Sequence, residues 1–221
     1  MKFSACICLC SLLLAWVPVA ATAAQSHHTG HHRFSDAEQW AKKFDDPQRD
    51  AWQKPHEVIQ ALQLKPDALI ADIGAGTGYF AVRLARMLPK ARVFGVDSEP
   101  EMVKYLGERA TREGLKNLSV VAAEPGNPRL PEKVDLILLV DVYHHVDQRE
   151  QYFRQLQQSL RPQGRLAIID FRMDAPVGPP PAARIAPERV TKELQSAGYT
   201  LVQEHAFLPN QYFLVFQPEQ R

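Results

Sequence analysis

The segment Asp72-Ile73-Gly74-Ala75-Gly76-Thr77-Gly78-Tyr79-Phe80 constrains this chain more than any other. The apolar run Leu69–Ile73 leads into three glycines at every second position. Ala81, Leu84, Ala85 and Leu88 then fall at i, i+3, i+4 and i+7, one face of a helix that Pro89 stops. The pattern is a short buried strand, a glycine turn and an amphipathic helix. Bare backbone at a helix start, with free N–H groups, lets a ligand approach the main chain closely. Asp72, at the strand tip, is placed to accept hydrogen bonds from a cationic or hydroxyl-bearing ligand. Asp97 ends the next strand, Arg92–Val96, nineteen residues past Gly78, where a carboxylate can take both hydroxyls of a ribose.

The alternation of strand and helix continues to the end of the chain. Ser98 and Glu101 read as N-cap and N3 of a capping box opening a helix, and Asn117–Ala122 as a third strand. Val134–Val140 carries one charge, Asp135, as suits a strand covered on both faces. Asp147 and Glu150 start a helix with Phe153, Leu156 and Leu160 inward, and Arg161-Pro162-Gln163-Gly164 ends it. Leu166–Ile169 is a fifth strand. Pro187 and Gly198 bracket a helix whose inner face is Val190, Leu194 and Ala197. Tyr199–His205 and Gln211–Phe216 close the chain. The link 206–210 is too short for a parallel crossover, so the last strand must run antiparallel to its neighbour. The expected fold is α/β: one Rossmann-like, doubly wound, mostly parallel seven-stranded sheet with an antiparallel last strand, over residues 65–221. Residues 34–64, with Trp40, Phe44, Trp52, Val58, Ile59 and Leu62, are expected to form a cap of one or two helices.

Residues 1–24 read as a signal peptide, with an apolar run to Val17 and small residues that suit cleavage after Ala23 or Ala24. The run is shorter than the about 20 apolar residues a membrane span needs. The expectation is an exported, periplasmic protein without stable membrane insertion of the mature domain. The alternative is an uncleaved leader that anchors it to the membrane. Cys6, Cys8 and Cys10 all lie in the leader, which excludes a disulfide scaffold, a thiolate zinc site, a cysteine nucleophile and an iron–sulfur cluster from the domain. Lysine and arginine number 26 against 25 acidic residues, and this balance argues against a nucleic-acid partner. Residues 25–33 hold four of the eight histidines and no apolar residue, the composition of a disordered tail. Cleavage after Ala24 would leave Gln25-Ser26-His27 at the amino terminus, an amine, two amides and an imidazole able to hold Cu(II) in a square plane. No metal site is expected in the domain.

On these motifs the chain resembles the class I S-adenosylmethionine-dependent methyltransferases over roughly residues 55–217. Asp72, Gly74, Gly76 and Gly78 match the first motif of that family, and Asp97 its ribose-binding acid. Val134–His145 looks like its fourth motif. The pair His144-His145 and the turn Arg161–Leu166 are closest in style to the quinone-biosynthesis C-methyltransferase branch. The resemblance implies S-adenosylmethionine as cofactor, bound by Asp72, Gly74, Gly76, Gly78, Tyr79, Asp97, Ser98, Glu124 and Asp141. It implies a small-molecule methyl acceptor, with Asp141, His144 and His145 as the catalytic candidates. Each has a plainer structural reading: Asp141 as a turn residue, the histidines as hydrogen-bonded packing residues. Arsenite methyltransferases share the architecture but work through cysteines, which this domain lacks.

Other residues near such a site are Tyr143, Asn210 and the proline-rich loop 174–187, either a lid or a rigid crossover. Trp40, Phe44, Trp52 and Tyr79 could wall in a sulfonium or a flat acceptor, or simply pack the cap. Two alternatives compete. Gly76-x-Gly78-x-x-Ala81 also satisfies a loose dinucleotide fingerprint, so an NAD-dependent oxidoreductase could use the same turn. A catalytically inactive exported protein that binds a nucleoside or a metal is the other.

Overall fold

The computed structural model describes residues 36–219. The expected signal peptide, the histidine-rich tail with its Cu(II) site, and all three cysteines lie outside the described residues. Along the chain come α1 (Ala37–Phe44), α2 (Arg49–Gln53), α3 (Pro55–Ala61), β1 (Leu69–Ile73), α4 (Tyr79–Met87), β2 (Arg92–Asp97), α5 (Pro100–Arg112), β3 (Leu118–Ala122) and β4 (Val134–Val140). The second half contains a 3-10 turn at Tyr143–His145, α6 (Arg149–Leu156), β5 (Leu160–Phe171), α7 (Pro187–Ser196), β6 (Tyr199–His205) and β7 (Gln211–Pro218).

The seven strands form one sheet in the order β3-β2-β1-β4-β5-β7-β6. The first five are parallel, and β7 runs antiparallel to both β5 and β6. Alternate residues of each strand feed the two faces. Ile70, Leu136, Leu138 and Ile169 pack with Val58 of α3, Phe80 and Leu84 of α4, and Leu106 of α5. Ala71, Ile137, Leu139 and Ile168 pack on the other face with Phe153 of α6 and Val190 and Leu194 of α7. The continuous apolar run of β4 is thus explained, since both of its faces are covered. Each fully buried leucine or isoleucine in these layers contributes roughly 2 kcal/mol relative to an exposed one.

The structure differs from the sequence reading in local detail. The cap is three short helices, because Lys54 adopts a left-handed conformation (φ 45°) that breaks the chain before Pro55. The capping box of Ser98 and Glu101 does not form. Helix α5 starts at Pro100 with Glu99 as N-cap, and Asp97 Oδ1 accepts the Glu99 N–H (3.0 Å). Helix α6 begins at Arg149 after Gln148 turns left-handed (φ 45°). Leu160 belongs to β5, and Arg161–Gly164 forms an irregularity in that strand beside Val134 and Leu136, not a separate turn before it.

Candidate active site

The order of winding reverses between β1 and β4, so the helices that follow them, α4 and α6, cover opposite faces of the sheet and leave a crevice at the strands' carboxyl ends. Both turns carry sequence-predicted site residues. Gly74 lies at φ +74°, and a Cβ there would sit 2.3 Å from Val142 Cγ2, which shows how closely the turns after β1 and β4 approach. Gly76 (φ +54°) is more open: the nearest side chain, Phe44, lies 3.7 Å from the position a Cβ would take. Thr77 is buried, and its Oγ1 has no hydrogen-bond partner.

Three carboxylates surround the turn. Asp72, which precedes the last residue of β1, is buried at 3% exposure. Desolvation pushes its pKa up to about 7 against the pull of the Ala81 N–H, while the Asp97 charge pushes it further up. Asp97 reaches over the turn: its Oδ2 accepts the Gly76 N–H at 2.7 Å and its Oδ1 the Glu99 N–H. Burial raises its pKa too, opposed by the N–H groups of Glu99, Gly76 and Ser98. Asp141 leaves β4 in a left-handed conformation (φ 59°) that aims its side chain away from the strand direction. Desolvation takes its pKa up to about 7 despite Arg49, with Asp170 adding repulsion.

Beside Asp141 stands a histidine–carboxylate pair. His144 Nδ1 lies 2.8 and 3.0 Å from the two oxygens of Asp170, whose Oδ2 also accepts the His144 N–H at 3.2 Å. Asp170 is itself buried at the end of β5, with Oδ1 taking the Phe171 N–H. Burial works against the imidazolium, but the hydrogen bond and charge of Asp170, helped by Asp141, outweigh it and raise the pKa of His144. With Nδ1 committed to Asp170, Nε2 is the nitrogen left for a proton from elsewhere. His145 is exposed, with its ring 4.1 Å from that of His144.

The cap helices close over this edge through a ring of side chains. Arg49 Nη2 donates to Asp141 Oδ2 (3.2 Å) and its Nε to Gln53 Oε1 (3.1 Å). Gln53 Nε2 donates to Gln211 Oε1 (2.6 Å), and Gln211 Nε2 returns to Asp141 Oδ1. Gln53 and Gln211 are fully buried, so each amide needs the other. The four aromatic residues do not form one wall. Trp40 stacks on Phe44 above the glycine turn, and Trp52 leans on Phe171 at the tip of β5 (5.8 Å). The ring of Tyr79 lies under the guanidinium groups of Arg49 and Arg83, at 4.0 and 3.9 Å, and its hydroxyl donates to Asp50.

Ser98 is exposed beside Asp97, and Glu124 pairs with Arg129 on the surface after β3 (2.7 Å). The hydroxyl of the buried Tyr143 donates to Glu193 (2.8 Å). The Asn210 carbonyl accepts the Arg172 N–H (3.0 Å), which ties the last link to the base of the proline-rich loop. That loop is pinned from inside, because the Arg184 guanidinium donates to the carbonyls of Arg172, Met173, Ala175, Val177 and Pro179. Sequence reasoning missed Asp170, Arg49, Gln53, Gln211 and Thr77. Asp170 left a trace, a lone acid closing the apolar run Leu166–Ile169, and Thr77 lies inside the glycine segment; Arg49, Gln53 and Gln211 left none. Among the described residues no group of three histidine, cysteine or acidic side chains could hold a metal ion. No helix there is long and apolar enough to cross a membrane.

Comparisons with known proteins agree with this geometry. A family model described as a methyltransferase domain matches residues 64–209. An arsenite methyltransferase of Halobacterium salinarum is 28% identical over 130 residues, 58% of this chain and 33% of that protein. A trans-aconitate 2-methyltransferase of Rhodopseudomonas palustris is 30% identical over 133 residues, 60% and 48% of the two chains. The chain therefore spans a third to a half of the length of these curated relatives. Among solved structures, a SAM dependent methyltransferase from Aquifex aeolicus superposes with a TM-score of 0.75 at 27% identity, covering 82% of this chain and 97% of that one.

Proposed function

This chain belongs to the methyltransferase-domain family, and on that premise we propose that it is a class I S-adenosylmethionine-dependent methyltransferase acting on a small-molecule acceptor. The observation that carries the reading is the glycine turn after β1 with Asp97 folded over it, at the point where the sheet reverses its winding. The residues fit the cofactor. Thr77 Oγ1 is a buried hydroxyl with no partner in the chain, Gly76 leaves room against Phe44, and Asp141 is a buried carboxylate suited to a cation. Gly74, Gly76, Thr77, Gly78 and Asp97 would hold the nucleoside, flanked by Ser98 and Glu124, with Asp141 at the amino-acid end. Asp72 takes the Ala81 N–H of α4 behind the glycine turn, and Tyr79 anchors the cap through Asp50.

S-Adenosylmethionine supplies the electrophilic methyl group, so the protein has mainly to align the acceptor and exclude water. The cap excludes water: Trp40 and Phe44 cover the glycine turn, and the ring from Arg49 to Gln211 seals the edge of β4 and β7. Asp170 fixes the orientation and tautomer of His144, whose Nε2 then takes the proton that an acceptor hydroxyl or activated carbon loses. His144 fills this role on the strength of the buried Asp170 carboxylate that holds its Nδ1.

The relatives act on unlike acceptors, as arsenite and trans-aconitate show. Arsenite is not the expected acceptor, since Cys6, Cys8 and Cys10 all fall in the segment read as a leader and residues 25–221 contain no cysteine. Placement in the quinone-biosynthesis C-methyltransferase branch is supported by His144-His145 and by Arg161–Leu166. Export rests on the composition of residues 1–24 alone. The test is calorimetric titration of the full-length protein with S-adenosylmethionine, S-adenosylhomocysteine and NADH, repeated on Asp97→Ala. Binding of the first two, weakened at least 100-fold in the variant, is the expected result; loss of two hydrogen bonds to a charged group, about 1.5–3 kcal/mol each, gives that scale. Binding of NADH alone would replace this reading with the oxidoreductase, and silence with all three would favour a protein without turnover.

A further inference from the structure

Asp141 is the one member of the side-chain ring that only accepts. Arg49 and Gln211 both donate to it, each to a different oxygen, whereas Gln53 and Gln211 each donate and accept. The two grips on the carboxylate are unequal. Gln211 is fully buried and fixed by Gln53, so its hold on Oδ1 is part of the core. Arg49 reaches Oδ2 through one nitrogen at 3.2 Å, longer than the about 2.7–2.9 Å of a strong charge-assisted bond and without the two-pronged geometry arginine prefers. Its guanidinium has other holdings: the Phe44 carbonyl at 3.0 Å, Gln53 Oε1 at 3.1 Å and the ring of Tyr79 at 4.0 Å. Arg49 can therefore release Asp141 and keep its place in the cap.

What it would release is the cation site of the crevice. Asp141 is mostly shielded from solvent, with the Arg49 and His144 charges favouring its ionised form and the Asp170 charge opposing it, and a carboxylate so placed needs a positive partner. Arg49 lies on α2, a five-residue helix bounded by the bend at Asp45–Gln48 and by the left-handed Lys54. Phe44, the last residue of α1, lies over Gly76, and its carbonyl accepts from Arg49 Nη1 at 3.0 Å. Cap and cation site are thus one mechanical unit.

We propose that Arg49 is an internal stand-in for the cofactor's α-ammonium group: it holds Oδ2 of Asp141 when the crevice is empty, and the ammonium replaces it on binding. This rests on the methyltransferase reading and on Asp141 facing the amino-acid end of the cofactor. No covalent step is involved; one cation exchanges for another on a single oxygen. The exchange has a cost, because part of the ligand's attraction is spent in displacing Arg49, and removing that competitor tightens binding of any ligand bearing the ammonium.

The test is calorimetric titration of the full-length protein and of Arg49→Met with two probes, S-adenosylhomocysteine and 5′-methylthioadenosine, the second lacking the ammonium. The expected result is binding of S-adenosylhomocysteine tightened about 5-fold or more by the substitution, with 5′-methylthioadenosine unchanged. Weaker binding of S-adenosylhomocysteine would make Arg49 a direct cofactor ligand and overturn the proposal. Equal tightening of both probes would reduce Arg49 to a packing element of the cap, and no change in either would remove it from the site; both outcomes overturn the exchange. If Arg49→Met fails to fold, Arg49→Lys answers the same question: its single ammonium competes less well than the fork, and the same selective tightening is expected, smaller in size. Failure of the unsubstituted protein to bind S-adenosylhomocysteine would instead refute the methyltransferase reading, a separate result.

Discussion

Replacing Asp72 by Asn removes a charge that the fold holds at a cost. The carboxyl is 3% exposed, and burial lifts its pKa from 3.8 to about 7. Below about pH 4 both folded and unfolded chains carry the proton and Asp72 leaves stability unaffected. As pH rises the unfolded chain releases its proton first, so stability falls by about 1.4 kcal/mol per pH unit until the folded group ionises near pH 7. The accumulated loss is about 4 kcal/mol. Asparagine has nearly the same shape, cannot ionise, and keeps an oxygen for the Ala81 N–H. Its extra N–H groups could be left unpaired at about 1–3 kcal/mol, but that penalty is the same at every pH. The slope is therefore the diagnostic. Urea denaturation of both proteins at pH 4, 6 and 8 is expected to show the difference in stability moving by about 4 kcal/mol in favour of Asp72→Asn. A difference that stays flat with pH would refute the reasoning, since it would mean that the Ala81 N–H and the amino-terminal end of α4 outweigh desolvation.

Three further outcomes are expected. His144→Gln should lower the rate of methyl transfer about 10²–10⁴-fold while the affinity for S-adenosylhomocysteine stays within 2-fold; in the unsubstituted enzyme the rate should rise with pH through a pKa above 6.5, and Asp170→Asn should move that midpoint to lower pH, because burial then acts on His144 without its main opponent. Gly74→Ala should cost about 1–3 kcal/mol through overlap with Val142, and Val142→Ala should recover part of it, leaving the strain of a positive φ; strictly additive melting shifts would deny the contact. Arg184→Lys should expose loop 172–183 to thermolysin, because one ammonium cannot replace a guanidinium spread over several carbonyls, and an unchanged cleavage rate would show that the prolines alone hold the loop.

Much of the candidate site was legible because it is local. The glycine turn, Asp97 and Asp141 sit at fixed offsets from strand ends, and strand ends are marked by where the apolar runs of β1, β2 and β4 stop. The Ser98–Glu101 capping box failed for a related reason: Asp97, one residue earlier, accepts the Glu99 N–H, and the helix starts one residue later, with Glu99 as N-cap. Asp170 was present in the sequence as a solitary acid, but nothing nearby along the chain announced its partner 26 residues away.

The chain's own pattern determined the layers of the fold. Periods of two and of 3.6, the turn residues and the short link 206–210 together require a doubly wound sheet with a reversed last strand, since each is a property of a few consecutive residues. Tertiary structure alone decided how the site is closed and tuned. The Arg49–Asp141 bond spans 92 residues and the Gln53–Gln211 bond 158, and these groups meet only because β4, β5 and β7 lie side by side. The raised pKa values are tertiary in the same way: burial lifts Asp72 and Asp141, and the Asp170 carboxylate lifts His144 against burial, each set by what the folded chain packs around the group.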